Sequence, residues 1–240
     1  DILSENMRIK DWNEIIECFK GVNFSNYQGI IMTHGTDTLA YTAALLSVVL
    51  KGIDIPVILV SSQYPLNDSR ANGNENFKNA VHVIRKRVKP NVYVVYRNDD
   101  KVSYIHTGSD IKQCDNYSND FCSKTMMKVN DYLLFGRKTG EMLLNKISTL
   151  KNKVLQIDPY VGIAYDVYDI SGKKAVLHGT FHSSTACTSE GESDILKFMN
   201  RCKDQEVLFV LSPFQGELLE SEAMYSSTGM MLKSGAKAMS

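Results

Sequence analysis

A short polar segment near the start of the chain combines hydroxyl side chains with a carboxylate. It reads Thr-His-Gly-Thr-Asp-Thr at 33–38 and separates an apolar run at 28–32 from a longer apolar stretch at 39–50. The first run is typical of a buried strand and the second of a helix. A loop in this position lies on the ligand-binding side of an α/β sheet, and the N-terminus of a helix stabilises an anion or a developing oxyanion. Thr36 and Asp37 are therefore candidates for chemistry, with helix capping as the structural alternative.

The elements that must position this loop alternate between short apolar strands and amphipathic helices. In the first part of the chain, strands are predicted at 28–32, 56–62 and 91–96, and helices at 10–20, 39–50 and 74–88. A less regular region at 98–131 and a connection at 134–153 follow. Further strands are predicted at 153–157, 174–178 and 206–211, with a helix near 194–202. This succession predicts an α/β fold with a mainly parallel, doubly wound sheet domain at 1–150, followed by a smaller α/β domain at 151–240.

Composition limits the classes of partner. Lys plus Arg equals Asp plus Glu at 27 each, so no electrostatic reason exists to expect nucleic acid or an anionic membrane. No apolar run approaches the length that spans a bilayer. The five cysteines are odd in number and scattered, which is typical of thiols in a reducing compartment and predicts a cytoplasmic protein. The cysteines and histidines show no metal-ligand spacing, and we predict neither a metal nor an organic cofactor.

Four segments carry a resemblance to a known family. They are Ser-Glu-Asn-Met at 4–7, the loop at 33–38, Pro-Val-Ile-Leu-Val-Ser-Ser-Gln-Tyr-Pro-Leu at 56–66 and Asn-Gly-Asn-Glu-Asn-Phe-Lys-Asn-Ala at 72–80. In content and order they resemble the bacterial-type L-asparaginases and glutaminase-asparaginases. The resemblance is clear over nearly all of the N-terminal half and looser beyond it. It implies hydrolysis of an amino-acid amide, L-asparagine above all, to the acid and ammonia.

The resemblance also implies roles for individual residues. Thr36 matches one of the two threonines of the family site, and Asp37 matches its acidic partner and a contact to the substrate α-ammonium. Ser4 would hold the α-carboxylate, and Glu5 stands where the family places a polar or acidic substrate contact. The family's catalytic lysine falls in the segment Gly-Ser-Asp-Ile-Lys-Gln at 108–113, where ungapped alignment places Gln113 at its position. Either a one-residue loop difference lets Lys112 serve as the catalytic lysine, or the lysine is absent.

The family resemblance carries two further expectations. Its members begin with a strand and a loop that bears the other threonine, and nothing in this chain resembles that loop. We therefore expect more chain before Asp1, and a C-terminal domain that is incomplete at Ser240. Family members also complete each site with a second subunit, which predicts a homodimer or homotetramer.

Three functions remain open at this point. The first is a threonine-dependent asparaginase. The second is an asparaginase-like amidotransferase subunit, which would release ammonia for transfer to tRNA-linked glutamate. The third is a non-catalytic protein that binds or senses an amino acid through Ser4, Glu5 and Asp37.

Overall fold

The structure is a computed structural model that describes residues 2–114, 117–134, 140–213 and 225–239. The chain divides into two compact units, Asp1–Leu150 and Lys151–Ser240. Each unit has its own sheet and its own apolar core.

The first unit is built on a five-stranded sheet flanked by three helices. The helices are α1 (Ile9–Lys20), α2 (Leu39–Val49) and α3 (Gly73–Arg85). The strands are β1 (Ile30–Thr33), β2 (Val57–Val60), β3 (Val92–Arg97), β4 (Ser103–Thr107), β5 (Ile111–Lys112), β6 (Cys122–Ser123) and β7 (Met127–Lys128). The order in the sheet is β1-β2-β3-β4-β7, and β5 pairs with β6 as a separate ribbon. Strands β1 to β3 are parallel, whereas β4 and β7 are antiparallel to their neighbours.

Successive apolar side chains of the central strands point to opposite faces of this sheet, which explains why helices cover both faces. Val57 and Leu59 pack in the cluster that contains the buried residues of α1 and α2. Ile58 and Val60 pack instead with Ala80 and Val83 of α3. Because successive side chains of a strand point to opposite faces, a strand that is apolar at every position needs a helix on each side.

The two helices on the first face differ in pattern because they differ in burial. Helix α1 is amphipathic, with Ile16 and Phe19 buried on one side, and the Arg8 backbone N–H donates to Asp11 Oδ2 over 2.8 Å to start it. Helix α2 is apolar nearly all round, and seven of its eleven residues are buried. It is therefore the more deeply buried of the two helices on this face.

The second unit is a four-stranded parallel sheet with two helices. Its strands are β8 (Val154–Ile157), β9 (Ala175–His178), β10 (Leu208–Leu211) and β11 (Lys237–Ala238), in the order β11-β10-β9-β8. Its helices are α4 (Ile195–Asp204) and α5 (Ser226–Lys233). Asp194 caps α4, since its Oδ1 accepts a hydrogen bond from the Leu196 N–H over 2.9 Å. Phe198 and Met199 carry the buried face of α4 into the core.

The predicted fold class is confirmed, with one local difference. The sequence predicts an irregular region at 98–131, but that region contains β4 paired antiparallel with β3 over five residue pairs. Asp, Asn and Ser surround this strand in sequence and obscure its pattern, while Ile105 and His106 inside it are fully buried. Among the described residues, no helix is both long enough and apolar enough to cross a membrane.

Candidate functional site

A polar cavity of about 360 Å³ lies at the C-terminal ends of β1, β2 and β3. Its size is at the low end of the range for small-molecule sites, about 300–1,000 Å³. The lining residues come from the loop after β1, the loop after β2, the end of β3 and the segment after β5: Thr36, Asp37, Gln63, Tyr96, Gln113, Cys114, Ser118 and Asn119. The C-terminal ends of parallel strands lie at the same edge of a sheet, so residues that are distant in sequence meet there.

A larger cavity of about 790 Å³ runs along β1, which lies at the end of the sheet. Its walls are mostly apolar and include Ile15 and Phe19 of α1 together with Ile30 and Met32 of β1. We place the candidate site in the smaller cavity because that cavity brings a threonine, a carboxylate and amide side chains together.

A hydrogen-bonded chain behind the loop fixes its shape. Trp12 Nε1 donates to Thr42 Oγ1 over 3.0 Å, and Thr42 Oγ1 lies 2.9 Å from His34 Nε2. His34 Nδ1 lies 2.7 Å from the Gly35 carbonyl oxygen and must carry the proton, since two acceptors would repel at that distance. Burial lowers the pKa of His34, which favours this neutral tautomer. His34 therefore supports the loop from behind.

Ser4 and Asp37 are in direct contact although 33 positions separate them. Ser4 Oγ donates to Asp37 Oδ2 over 3.1 Å, and Thr38 Oγ1 donates to the Ser4 carbonyl oxygen over 2.9 Å. Gly35 permits this approach, because a Cβ at that position would overlap the Ser4 side chain. Ser4 is 6% exposed, so its hydroxyl is committed to the interior of this cluster.

Capping of α2 does not account for Thr36 and Asp37. The capping position of α2 is Thr38, and no side-chain hydrogen bond caps the helix there. Thr36 is half-buried and Asp37 is exposed, and both line the cavity.

Gln113 contacts the threonine loop, whereas Lys112 does not. Gln113 Nε2 donates to the Thr36 carbonyl oxygen over 3.1 Å. Lys112 is exposed at the end of β5, where it pairs with Cys122, and it is absent from the cavity lining. Lys112 is the last residue of β5, and Gln113 belongs to the segment that follows this strand. The structure therefore places Gln113, and not the predicted Lys112, beside Thr36.

Glu5 also lies outside the cavity lining. It is exposed in the short 3₁₀ turn Ser4–Asn6, next to the buried Ser4. Of the five predicted site residues, Thr36 and Asp37 line this cavity. Ser4 is hydrogen-bonded to Asp37 but lines a separate cavity together with His34 and Gly35. Glu5 and Lys112 are exposed at the surface.

Tyr96 forms a buried wall of the cavity at the end of β3. Its side chain is 1% exposed and stacks edge-on against Phe121, with ring centroids 4.8 Å apart. Burial raises the pKa of Tyr96 to about 12, and the Asn72 side chain next to its hydroxyl acts in the opposite direction. Within the described part of the chain, the Tyr96 hydroxyl has no acceptor for its proton and Gln113 Oε1 has no donor, although both atoms are buried.

Two buried asparagines at the start of α3 hold the strand ends that carry the cavity. Asn72 accepts from the Gln63 N–H over 2.9 Å and donates to the Arg97 carbonyl oxygen over 2.8 Å. Asn76 donates to the Ser61 carbonyl oxygen and accepts from the Arg97 N–H, both over 2.8 Å. Together they join the end of β2 to the end of β3.

Sequence reasoning did not assign roles to these asparagines, but a signal was present. Asn72 and Asn76 stand eight and four residues before Ala80, which places all three on the apolar face that also holds Val83. Polar residues in register with an apolar face indicate buried side chains that need specific partners. Among the described residues, no group of three or more His, Cys, Asp or Glu side chains is arranged to hold a metal ion.

Comparison with known proteins gives the following relatives. The curated L-asparaginase 1 of Escherichia coli (strain K12) is 42% identical over 80 residues, which cover 33% of this chain and 23% of that protein. A glutamyl-tRNA(Gln) amidotransferase subunit of Methanococcus vannielii is 31% identical over 199 residues, which cover 75% of this chain and 46% of that protein. The chain thus spans less than half the length of either relative.

A solved structure with the same fold is that of L-asparaginase I from Vibrio cholerae. It superposes with a TM-score of 0.74 at 23% identity, covering 99% of this chain and 72% of that one. The profile of the family described as "Asparaginase, N-terminal" matches residues 1–133, which is more than half of the chain. The chain therefore belongs to the asparaginase family.

Proposed function

We propose that this chain carries the amide site of a threonine-dependent amidohydrolase that converts L-asparagine to L-aspartate and ammonia. The observation that supports this most directly is the cluster at the start of α2. There, Thr36 and Asp37 line a cavity while Ser4 orients the Asp37 carboxylate. A hydroxyl next to a fixed carboxylate, at the positive end of a helix dipole, suits a zwitterionic substrate whose reaction develops negative charge.

Asp37 supplies the counter-charge for the substrate α-ammonium in this proposal. The Ser4 hydroxyl has one proton, and that proton is donated to Asp37 in the structure. Ser4 can contact the substrate α-carboxylate only if its hydroxyl turns away from Asp37. Substrate binding would then exchange one hydrogen bond for another, with the ammonium group replacing Ser4 beside Asp37.

The chemical step needs an oxygen nucleophile at the carboxamide carbon. The Thr36 hydroxyl, or a water molecule that it positions, adds to this carbon, and the carbonyl electron pair moves to the oxygen. The nucleophile's proton passes to the nitrogen, the C–N bond breaks and ammonia leaves. If Thr36 is the nucleophile, water hydrolyses the resulting ester to the acid. Gln113 cannot accept a proton at neutral pH, and the surface position of Lys112 gives it no part in this step.

A second candidate function is ammonia release within a larger amidotransferase. It is supported by the 31% identity to the Methanococcus vannielii amidotransferase subunit, which extends over three quarters of the chain. The same amide chemistry would operate, but the ammonia would pass to a second site. This candidate predicts that ammonia release depends on a partner protein, while the first predicts release without one.

Ammonia release from L-asparagine and L-glutamine by the purified natural protein tests both candidates. We expect release from L-asparagine at a rate that added amidotransferase partners do not change. No release from either amide, together with measurable amino-acid binding, would replace both candidates by the non-catalytic function. We further propose a homo-oligomer, a cytoplasmic location and no cofactor, as the family membership suggests.

A further inference from the structure

We propose that Gln113 and Tyr96 recognise the carboxamide group of the substrate and discriminate it from the carboxylate of the product. This inference rests on the proposed function and assigns a specificity to two residues for which the sequence indicates none. It is carried by two residues that line one cavity and that each contain a buried polar atom without a complete set of partners among the described residues.

The hydrogen bond between Gln113 and the Thr36 carbonyl oxygen shows which atom of the Gln113 amide lacks a partner. Nε2 donates to the Thr36 carbonyl oxygen over 3.1 Å, and the reversed orientation would place two oxygens against each other. Oε1 is therefore the end that lacks a partner, and it is an acceptor only. A ligand that satisfies it must supply an N–H or O–H group.

Tyr96 adds a second unsatisfied group that can donate. Its hydroxyl is buried beside the Asn72 side chain, whose oxygen is engaged by the Gln63 N–H and therefore does not accept the hydroxyl proton. A buried O–H group without an acceptor is unfavourable, so its retention in a residue that lines a polar cavity indicates a ligand group that accepts from it.

A primary carboxamide complements this pair of atoms. Its NH₂ group donates to Gln113 Oε1, and its carbonyl oxygen accepts from the Tyr96 hydroxyl. The product carboxylate has no proton to donate at neutral pH, so it would place a negative oxygen against Gln113 Oε1 and leave that atom unsatisfied. The pair therefore favours binding of the amide and release of the acid, while Asp37, which lines the same cavity, carries the proposed ammonium contact.

Binding of L-aspartate by calorimetry tests the role of Gln113 without requiring turnover. Gln113→Lys replaces the acceptor by a cationic donor that can still reach towards the Thr36 carbonyl, and we expect L-aspartate to bind about tenfold more tightly than to the wild type. Gln113→Met removes the acceptor without adding charge, and we expect a higher KM for L-asparagine with no gain in L-aspartate affinity. The exposed Gln28→Lys is the matched control and should change neither.

Thermal unfolding without ligand tests the role of Tyr96. Tyr96→Phe removes an unsatisfied hydroxyl and should leave Tm unchanged or raise it, while the KM for L-asparagine increases. Tyr93 is the matched control on the same strand, because its buried hydroxyl donates to the Lys89 carbonyl oxygen over 2.8 Å. Tyr93→Phe should lower Tm and leave KM unchanged.

The outcomes separate this inference from the proposed function. Hydrolysis of L-asparagine by the wild type, with L-aspartate affinity of Gln113→Lys within twofold of the wild type, would overturn the inference and leave the function standing. A loss of Tm in Tyr96→Phe as large as that in Tyr93→Phe would also overturn it. Absence of both hydrolysis and asparagine binding in the wild type would overturn the function itself, and the inference with it.

Discussion

The hydroxyl of Ser4 donates a hydrogen bond to the carboxylate of Asp37, and the Ser4 side chain occupies the space where Gly35 would otherwise carry a Cβ. The short turn before α1 is thereby locked against the loop before α2. The orientation of the Asp37 carboxylate thus depends on Gly35 having no side chain.

Gly35→Ala tests this dependence. The added Cβ would displace Ser4, and we expect a loss of about 1–3 kcal/mol in the free energy of unfolding together with a raised KM for L-asparagine. Gly21→Ala is the control, because Gly21 has φ −78° and the nearest atom to its added Cβ is 3.5 Å away. Equal effects of the two substitutions in urea unfolding would contradict the role given to Gly35.

Thr36→Val should lower kcat for ammonia release by two or more orders of magnitude, on the order expected when a nucleophile or water-positioning group is lost. The fold should remain intact, since valine is nearly isosteric. Thermal unfolding and ammonia release measured on one preparation check this, with the exposed Thr149→Val as control. Turnover near that of the wild type would remove Thr36 from the mechanism.

Asn72→Ala should destabilise the first unit by about 2 kcal/mol or more, because it leaves the Gln63 N–H and the Arg97 carbonyl oxygen unpaired in the interior. Asn67→Ala, at an exposed position in the same loop, should cost little. Chemical denaturation of both variants measures the difference. A loss of stability in Asn72→Ala but not in Asn67→Ala would support the role of Asn72 in joining the ends of β2 and β3. Equal losses would contradict that role.

Stability should fall as the pH is lowered below about 6.5. Burial lowers the pKa of His106 to about 4 and also lowers the pKa values of His34 and His178. For His106 the unfolded chain therefore binds more protons between about pH 6.5 and 4, which removes up to about 1.4 kcal/mol of stability per pH unit in that window, and His34 and His178 act in the same direction below about pH 6.5. Stability is fully present above the window.

Urea unfolding at pH 7.5, 6 and 5 measures this slope. His106→Gln should flatten it, whereas the exposed His82→Gln should leave it unchanged. A slope that is the same in all three proteins would show that His106 does not titrate with unfolding.

The assembly is expected to be a homodimer or homotetramer. Closed two-fold assembly is the commonest arrangement of soluble oligomers, which is the physical reason for this prediction. Light scattering of the natural protein measures its mass directly. A stable monomer that hydrolyses L-asparagine would exclude this assembly.

Much of the first unit could be predicted from sequence because its signals are local. The strand at Ile30–Thr33 and the helix at Leu39–Val49 follow directly from runs of apolar residues. The motif at 33–38 can be recognised in the sequence because its glycine and its hydroxyl-bearing residues are consecutive and together shape one site. The proximity of Ser4 to Asp37 is a long-range property, and the family resemblance supplied the reason to expect it.

The rest depended on packing that no local pattern encodes. The choice between Lys112 and Gln113 depends on tertiary contacts: Lys112 pairs with Cys122 in the β5–β6 ribbon, while Gln113 follows the ribbon and donates to the Thr36 carbonyl oxygen. Tyr96 resembles an ordinary core aromatic residue in sequence, and only the absence of a described acceptor for its buried hydroxyl distinguishes it. Strand β4 escapes prediction because polar residues flank its short apolar centre.

Trp12 is the single tryptophan of the chain, and its indole N–H begins the hydrogen-bonded series that runs through Thr42 to His34. The tryptophan fluorescence of residues 1–240 therefore originates two hydrogen bonds from the loop that carries Thr36. A rearrangement of that loop that breaks either hydrogen bond changes the polarity around the indole. The emission of Trp12 is thus an optical report on the candidate site, with no label required.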